Sequence, residues 1–193
     1  RYDEAFTYLE YASRPYWLAL TNYSYPNNHL LHTLLVKISL DLFGNHLWSL
    51  RLPAFLAGVA LIPISYLAVC MAFDKWTALL CAALIAASPT MIDFSVNARG
   101  YSLQMCFLTL ILARISKLGH ESGGWKLIAC WLALGFLVIP TMLFTIPLVV
   151  AAFIAQARKL EGHTGMSPSF YYRRAATTFG CAAGLTAILY LPL

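Results

Sequence analysis

The sequence predicts an all-α protein: a polytopic bundle of transmembrane helices, with amphipathic surface helices in the loop that precedes it. Two observations carry this. Of 193 residues, 60% are hydrophobic and only 11% are charged, whereas a soluble domain carries roughly 25% charged residues. From Arg51 onward, apolar runs alternate with short polar connections, and several approach the ~20 residues that a bilayer crossing takes. So few charges cannot cover a water-facing surface. An ordinary soluble enzyme, a disordered chain and a nucleic-acid module are therefore excluded, and the net charge of +5 is too modest to suggest nucleic acid.

Residues 1–50 form a first polar segment, dense in tyrosine, tryptophan, histidine and asparagine. Tyr and Trp favour the membrane–water interface, because one end of the ring is apolar and the other is wet. Asp3 to Ser13 reads as a short helix opened by acids, which suit a helix N-terminus, and Arg14-Pro15 ends it. Thr21 to Asn28 is a polar loop. His29 to Phe43 reads as a second helix, with His29, Thr33, Lys37 and Asp41 on one stripe and leucines elsewhere. That pattern fits a helix lying on the membrane surface, and Gly44-Asn45 closes it.

Residues 51–193 read as the bundle. Leu52 to Phe73 is the first span, and Asp74-Lys75-Trp76 is a tight turn. Thr77 to Val96 is the second span, with a kink expected at Ser88-Pro89. Asn97-Ala98-Arg99-Gly100 is a short connection to a third span, Tyr101 to Ile115. A polar loop follows from Arg114 to Lys126. Leu127 to Ala155 is apolar but interrupted by Pro140 and Pro147. Gln156 to Arg174 reads as a basic loop, and Ala175 to Leu193 as another span. The chain opens on Arg1 and closes within an apolar run, so it is expected to be a segment of a longer membrane protein, incomplete at both ends.

Charge tests the layout. With residues 1–50 outside, Lys75, Arg114, Lys117, Lys126, Arg158, Lys159, Arg173 and Arg174 all fall inside, eight of the thirteen Lys+Arg. That bias fits the positive-inside rule. It also requires an even number of crossings between residues 127 and 155. Two short helices turning at Pro140-Thr141 supply it, each only ~21 Å long against a ~30 Å hydrocarbon core. One long tilted helix is the alternative, and it breaks the charge rule.

Candidate chemistry lies on the outer side. Asp3 and Glu4 are adjacent, so on a helix they point ~100° apart. One can face a cavity while the other binds a metal or caps structure; a plain acidic helix start is equally consistent with the spacing. Arg99 sits at the ends of two spans, where arginine is costly and tends to be functional. Its guanidinium fork suits a phosphate, although a snorkelling arginine marks the same depth. Asp93 is a possible partner for it, or a member of a buried polar network. His29 and His32 stand one helical turn apart, a spacing open to metal ligation but more often a surface stripe. Asn22-Tyr23-Ser24 matches a glycosylation sequon. The five cysteines lie in apolar runs without a Cys-x-x-Cys pair and read as buried free thiols. No phosphate loop or nucleophile elbow occurs.

Several motifs occur in a telling order. Asp3-Glu4-Ala5-Phe6-Thr7-Tyr8 precedes Tyr25-Pro26-Asn27-Asn28-His29-Leu30-Leu31. Then come Leu50-Arg51-Leu52-Pro53-Ala54, Ala87-Ser88-Pro89 and Asn97-Ala98-Arg99-Gly100-Tyr101. This order resembles the membrane-embedded GT-C glycosyltransferases, among them the protein O-mannosyltransferases and the aminoarabinose transferases of lipid A, over about residues 1–115. The resemblance implies transfer of a sugar from a polyprenyl-phosphate carrier to a protein, lipid or glycan on the extracytoplasmic face. It matches Asp3 to the first-loop catalytic acid and Arg99 to a residue near the carrier phosphate. Glu4 matches a second acid of variable role, including a possible divalent-metal ligand. Tyr101 and His29, inside the matching motifs, join Glu4 and Arg99 as substrate-binding candidates. A bacterial inner (plasma) membrane is the expected setting. A polytopic transporter or lipid-carrier flippase is the rival class, but transporters place polar residues at the midplane and show internal repeats, and here the polar residues cluster outside.

Overall fold

The computed structural model describes residues 2–21, 28–118, 123–164 and 168–191, without the side chains of Tyr2, Asp3, His163, Thr164 and Pro168. The loop at 22–27, its sequon and the Asp3 side chain thus lie outside the described residues. All regular structure among the described residues is helical.

Helix α1 (Tyr2–Phe6) widens into a π-helical turn over Thr7–Ala12, and α2 (Tyr16–Thr21) follows Pro15. Helix α2 was not foreseen, since only five residues separate Pro15 from the polar loop that starts at Thr21. Helix α3 (Leu30–Phe43) is oriented opposite to the expected surface helix. His29, Thr33 and Lys37 are buried, while Leu42 is 71% exposed and Phe43 48% exposed. These three members of the polar stripe face protein because their partners are there, while Asp41 at its end is exposed. Thr33 Oγ1 donates to Asn28 Oδ1 at 3.0 Å, and Lys37 Nζ donates to the Ala12 carbonyl at 3.4 Å. Ile38, Leu42 and Phe43 are left for the apolar surroundings of a membrane.

Helix α4 (Leu47–Cys70) starts five residues earlier than Leu52 and runs unbroken through Pro53 and Pro63. Asp74 caps α5 (Lys75–Ala87), its carboxylate accepting from the Trp76 and Thr77 N–H groups at 2.8 and 3.1 Å. Ser88 then leaves helical geometry ahead of Pro89, as a residue before proline tends to do, and α6 (Pro89–Ser95) departs from α5 at 63°. The expected kink is a full break. Helix α6 returns toward the start of α4, where Gly58 meets it: a Cβ there would lie 2.4 Å from Ser95 Cβ.

Helix α7 (Tyr101–Ser116) departs from the same end as α4; Cys106 Sγ, five residues in, donates to the Ala57 carbonyl. Helices α8 (Gly123–Val138) and α9 (Ile146–Thr164) are separated at Ile139, which is extended, and by a 3-10 helix over Pro140–Thr145. They run antiparallel. Trp125, early in α8, stacks on Phe153 of α9 at 5.6 Å, while Gly135, late in α8, packs on Met142. Two helices therefore replace the single long one. They are longer than expected because they recruit polar flanks, and the supposed basic loop from Gln156 to Arg174 is mostly helical. Helix α10 (Pro168–Tyr190) begins beside Trp125 through Tyr171 and ends beside Phe136, whose carbonyl accepts from Tyr190 Oη at 3.0 Å.

By length and composition, two helices among the described residues can cross a membrane, α4 and the Pro140–Gly162 stretch, or three if α5 and α6 form one bent span. Helix α10, expected as a span, falls outside this set: Arg173 and Arg174 at its start, and its threonines and glycines, dilute its apolar character. The cysteines are free, but only Cys106 is buried; Cys130 and Cys181 are exposed. Outward faces that meet lipid tolerate a small apolar thiol as readily as a core does.

The bundle thus has two unlike ends. Lys75, Arg114, Lys117, Lys126, Arg158, Lys159, Arg173 and Arg174 belong to the turns and helix termini of one end. The other gathers α1, the start of α4, residues 97–101 and Val138.

Candidate active site

The polar end is tied together by Glu4. Its side chain is buried, and its carboxylate accepts from Arg51 Nε at 2.8 Å and Arg51 Nη2 at 2.7 Å. Oε1 also accepts from the Ala98 backbone N–H at 3.1 Å. Two parallel N–H···O bonds from one guanidinium are the strongest side-chain pairing available to a carboxylate. Burial alone would raise the Glu4 pKa; the Arg51 and Ala98 hydrogen bonds outweigh it and hold the carboxyl below its usual value. Glu4 therefore acts as a clamp that fixes α1 against α4 and against the connection carrying Arg99. In this arrangement a guanidinium and a backbone amide both hydrogen-bond to its oxygens. Among the described residues no group of three or more His, Cys, Asp and Glu could hold a metal ion.

Beside this clamp, Arg99 Nη1 donates to Tyr101 Oη at 3.1 Å. The Tyr101 ring stacks on Phe94 at 4.8 Å and meets His29 edge-on at 6.1 Å. His29 Nδ1 accepts a long hydrogen bond, 3.4 Å, from the Gly100 N–H. Gly100 is needed for space: a Cβ there would lie 2.4 Å from Val138 Cγ1 and 3.2 Å from the Val138 carbonyl oxygen. The connection thus sits directly on the end of α8. His32 is buried beneath, and among the described residues neither of its ring nitrogens has a hydrogen-bond partner. Desolvation, then the charges of His29 and Arg99, push its pKa down to about 3, so it is neutral at physiological pH.

The structure brings Glu4, Arg99, Tyr101 and His29 to one end, and the backbone of Asp3 lies one residue ahead of Glu4 in α1. Asp93 is exposed on α6 rather than part of a buried network. Sequence reasoning missed Arg51 as a site residue. A charged residue at the first turns of an apolar span needs a partner, which marks Arg51 for attention but does not single out Glu4 among the acids. His32 was treated as surface and is fully enclosed.

Arg51 also separates two open grooves. One, about 770 Å³, is largely apolar, with Leu47, Trp48, Leu52, Phe55 and Val96 on its walls. The other, about 330 Å³, is lined by Glu4, Tyr8, Asn45 and His46. An apolar channel that ends on a guanidinium, next to a second, more polar cleft, suits a ligand with a lipid part and a charged head.

The described residues thus form a helical membrane bundle with its polar side chains gathered at one end. The chain belongs to the dolichyl-phosphate-mannose-protein mannosyltransferase family, whose family model matches residues 27–172. It is a membrane glycosyltransferase of the GT-C kind. The match spans His29, Arg51, Arg99 and Tyr101; Asp3 and Glu4 precede it. No curated protein and no solved structure matches the chain.

Proposed function

We propose that the protein transfers a sugar from a polyprenyl-phosphate carrier to a hydroxyl of a protein, lipid or glycan acceptor, outside the cytoplasm and with inversion at the anomeric carbon. The observation that carries this reading is the Glu4–Arg51–Ala98 clamp. It holds the acidic start of α1 against the loop bearing Arg99, so that a carboxylate and a cation can share one site.

The chemistry needs both. A phosphate-linked sugar already has its leaving group, so the barrier lies in deprotonating the acceptor and stabilising the departing charge. Asp3 is the base: its carboxylate takes the proton as the acceptor oxygen attacks the anomeric carbon. Arg99 binds the phosphate as the C–O bond to the sugar breaks and negative charge builds on it. Attack comes from the face opposite the phosphate, which inverts the centre. Tyr101 holds the Arg99 guanidinium from one side, and His29 backs Tyr101; these two shape the sugar pocket. The apolar groove beside Arg51 suits the first isoprene units of the carrier. The crowding of Lys and Arg at the opposite end supports a cytoplasmic location for it and an extracytoplasmic one for the site, as in a bacterial plasma membrane.

The roles are separable by kinetics. Asp3→Asn is expected to lower kcat by ~10²-fold or more with little change in donor KM. Arg99→Met is expected to raise donor KM and lower kcat together. If Asp3→Asn keeps full transfer activity, the base is another residue.

A further inference from the structure

The opposite end of the bundle carries a feature that sugar transfer does not use. Helix α10 buries Tyr171, Ala175, Thr178 and Ala182 against its neighbours. On the adjoining face, Phe170, Arg173, Arg174 and Thr177 line a groove of about 340 Å³. The Arg174 guanidinium stands 5.5 Å over the Phe170 ring, which holds it in place. Helix α10 contains no acidic residue, and among the described residues neither Arg173 nor Arg174 has a carboxylate partner. Two adjacent guanidinium groups, set beside an aromatic floor, form an anion site with an apolar side.

The depth of the groove identifies the anion. Tyr171 packs edge-on against Trp125 and Phe153, so Arg173 and Arg174 lie beside the end of the Pro140–Gly162 span, where its apolar run gives way to Gln156, Arg158 and Lys159. That is the level of the phosphates in one leaflet. Tyr172 is 44% exposed at the same level, as interfacial aromatics are. We infer that this groove binds an anionic phospholipid, its phosphodiester oxygens bridged by Arg173 and Arg174 and its glycerol and upper acyl carbons against Phe170. Arginine pairs suit this better than lysines, because each fork delivers two fixed donors to neighbouring oxygens, and basic pockets at helix ends recognise anionic headgroups.

Native mass spectrometry of the intact protein tests it. The protein is purified in detergent with equal amounts of phosphatidylglycerol and phosphatidylcholine, and the retained lipids are counted. Wild type should keep phosphatidylglycerol in preference. Arg173→Gln/Arg174→Gln should lose that preference by about tenfold or more, and Arg173→Lys/Arg174→Lys should retain part of it. Arg158→Gln/Lys159→Gln, at the same end on α9, should leave it within about twofold. Unchanged retention in the first variant overturns the site. Equal losses from both Gln pairs also overturn it, because they would mean a diffuse positive field rather than a groove.

Discussion

Arg51 grips Glu4 with two hydrogen bonds, 2.8 and 2.7 Å long, across 47 positions of sequence. The pair is asymmetric. Glu4 is almost completely enclosed, while the Arg51 side chain keeps 32% of its surface exposed. Removing one member therefore does not cost the same as removing the other.

Arg51→Met leaves a buried carboxylate without its cation. The expected loss of stability is about 2–4 kcal/mol, reduced from the fully buried case because Arg51 is partly solvated. Glu4→Gln leaves a part-exposed guanidinium and a neutral acceptor of the same shape, and should cost about 1–2 kcal/mol. Denaturant unfolding in detergent measures both. Equal losses, or the reverse order, would contradict the clamp.

Acid should weaken the polar end in a defined order. The His32 pKa lies near 3 in the fold and near its ordinary 6.5 when unfolded. Between these values the unfolded chain binds a proton that the folded chain refuses. Stability is therefore full above pH 6.5 and falls as pH drops, by up to about 1.4 kcal/mol per pH unit. Glu4, with its pKa held low, acts in the same direction but only at lower pH, as pH falls toward its folded value. His32→Leu should thus flatten the change in unfolding midpoint between pH 7 and pH 5. A variant as acid-sensitive as wild type there would contradict the burial of a neutral imidazole.

Gly100→Ala forces a Cβ into the Val138 side chain and carbonyl. Overpacking of this kind costs about 1–3 kcal/mol, and here the strain falls on the connection that carries Arg99. Transfer activity should fall more than stability does. Gly58→Ala crowds Ser95 at a similar distance away from Arg99 and should destabilise with less effect on kcat. The two variants compared by unfolding and by turnover separate loop position from general packing.

Much of the architecture was legible because lipid imposes few solutions. Apolar runs become helices, and Pro89 and Pro140 mark two breaks, whereas α4 runs on through Pro53 and Pro63. The distribution of Lys and Arg alone chose two helices over one between residues 127 and 155, and α8 and α9 are antiparallel as that choice requires. Helix ends were less legible. Gln156 to Arg174 is polar enough to read as a loop, but polar residues at the ends of spans sit in the headgroup region and stay helical. The stripe on α3 misled for a related reason: periodicity reveals that two faces differ, not which one meets protein. The site was half legible. His29, Glu4, Arg99 and Tyr101 do converge, but the partner of Glu4 was not visible from spacing, because the contact between Arg51 and Glu4 exists only once α1 folds back over the start of α4.

The central claim is sugar transfer from a lipid-phosphate donor with Asp3 as base. The most direct measurement incubates membranes carrying wild type or Asp3→Asn, at matched expression, with a panel of labelled polyprenyl-phosphate sugars, and follows label leaving the carrier for an acceptor. The account predicts transfer from at least one donor by wild type and its loss, by ~10²-fold or more, in Asp3→Asn. Transfer at equal rates by both would contradict the assigned base, and carriers left intact across the whole panel by wild type would contradict the proposed reaction.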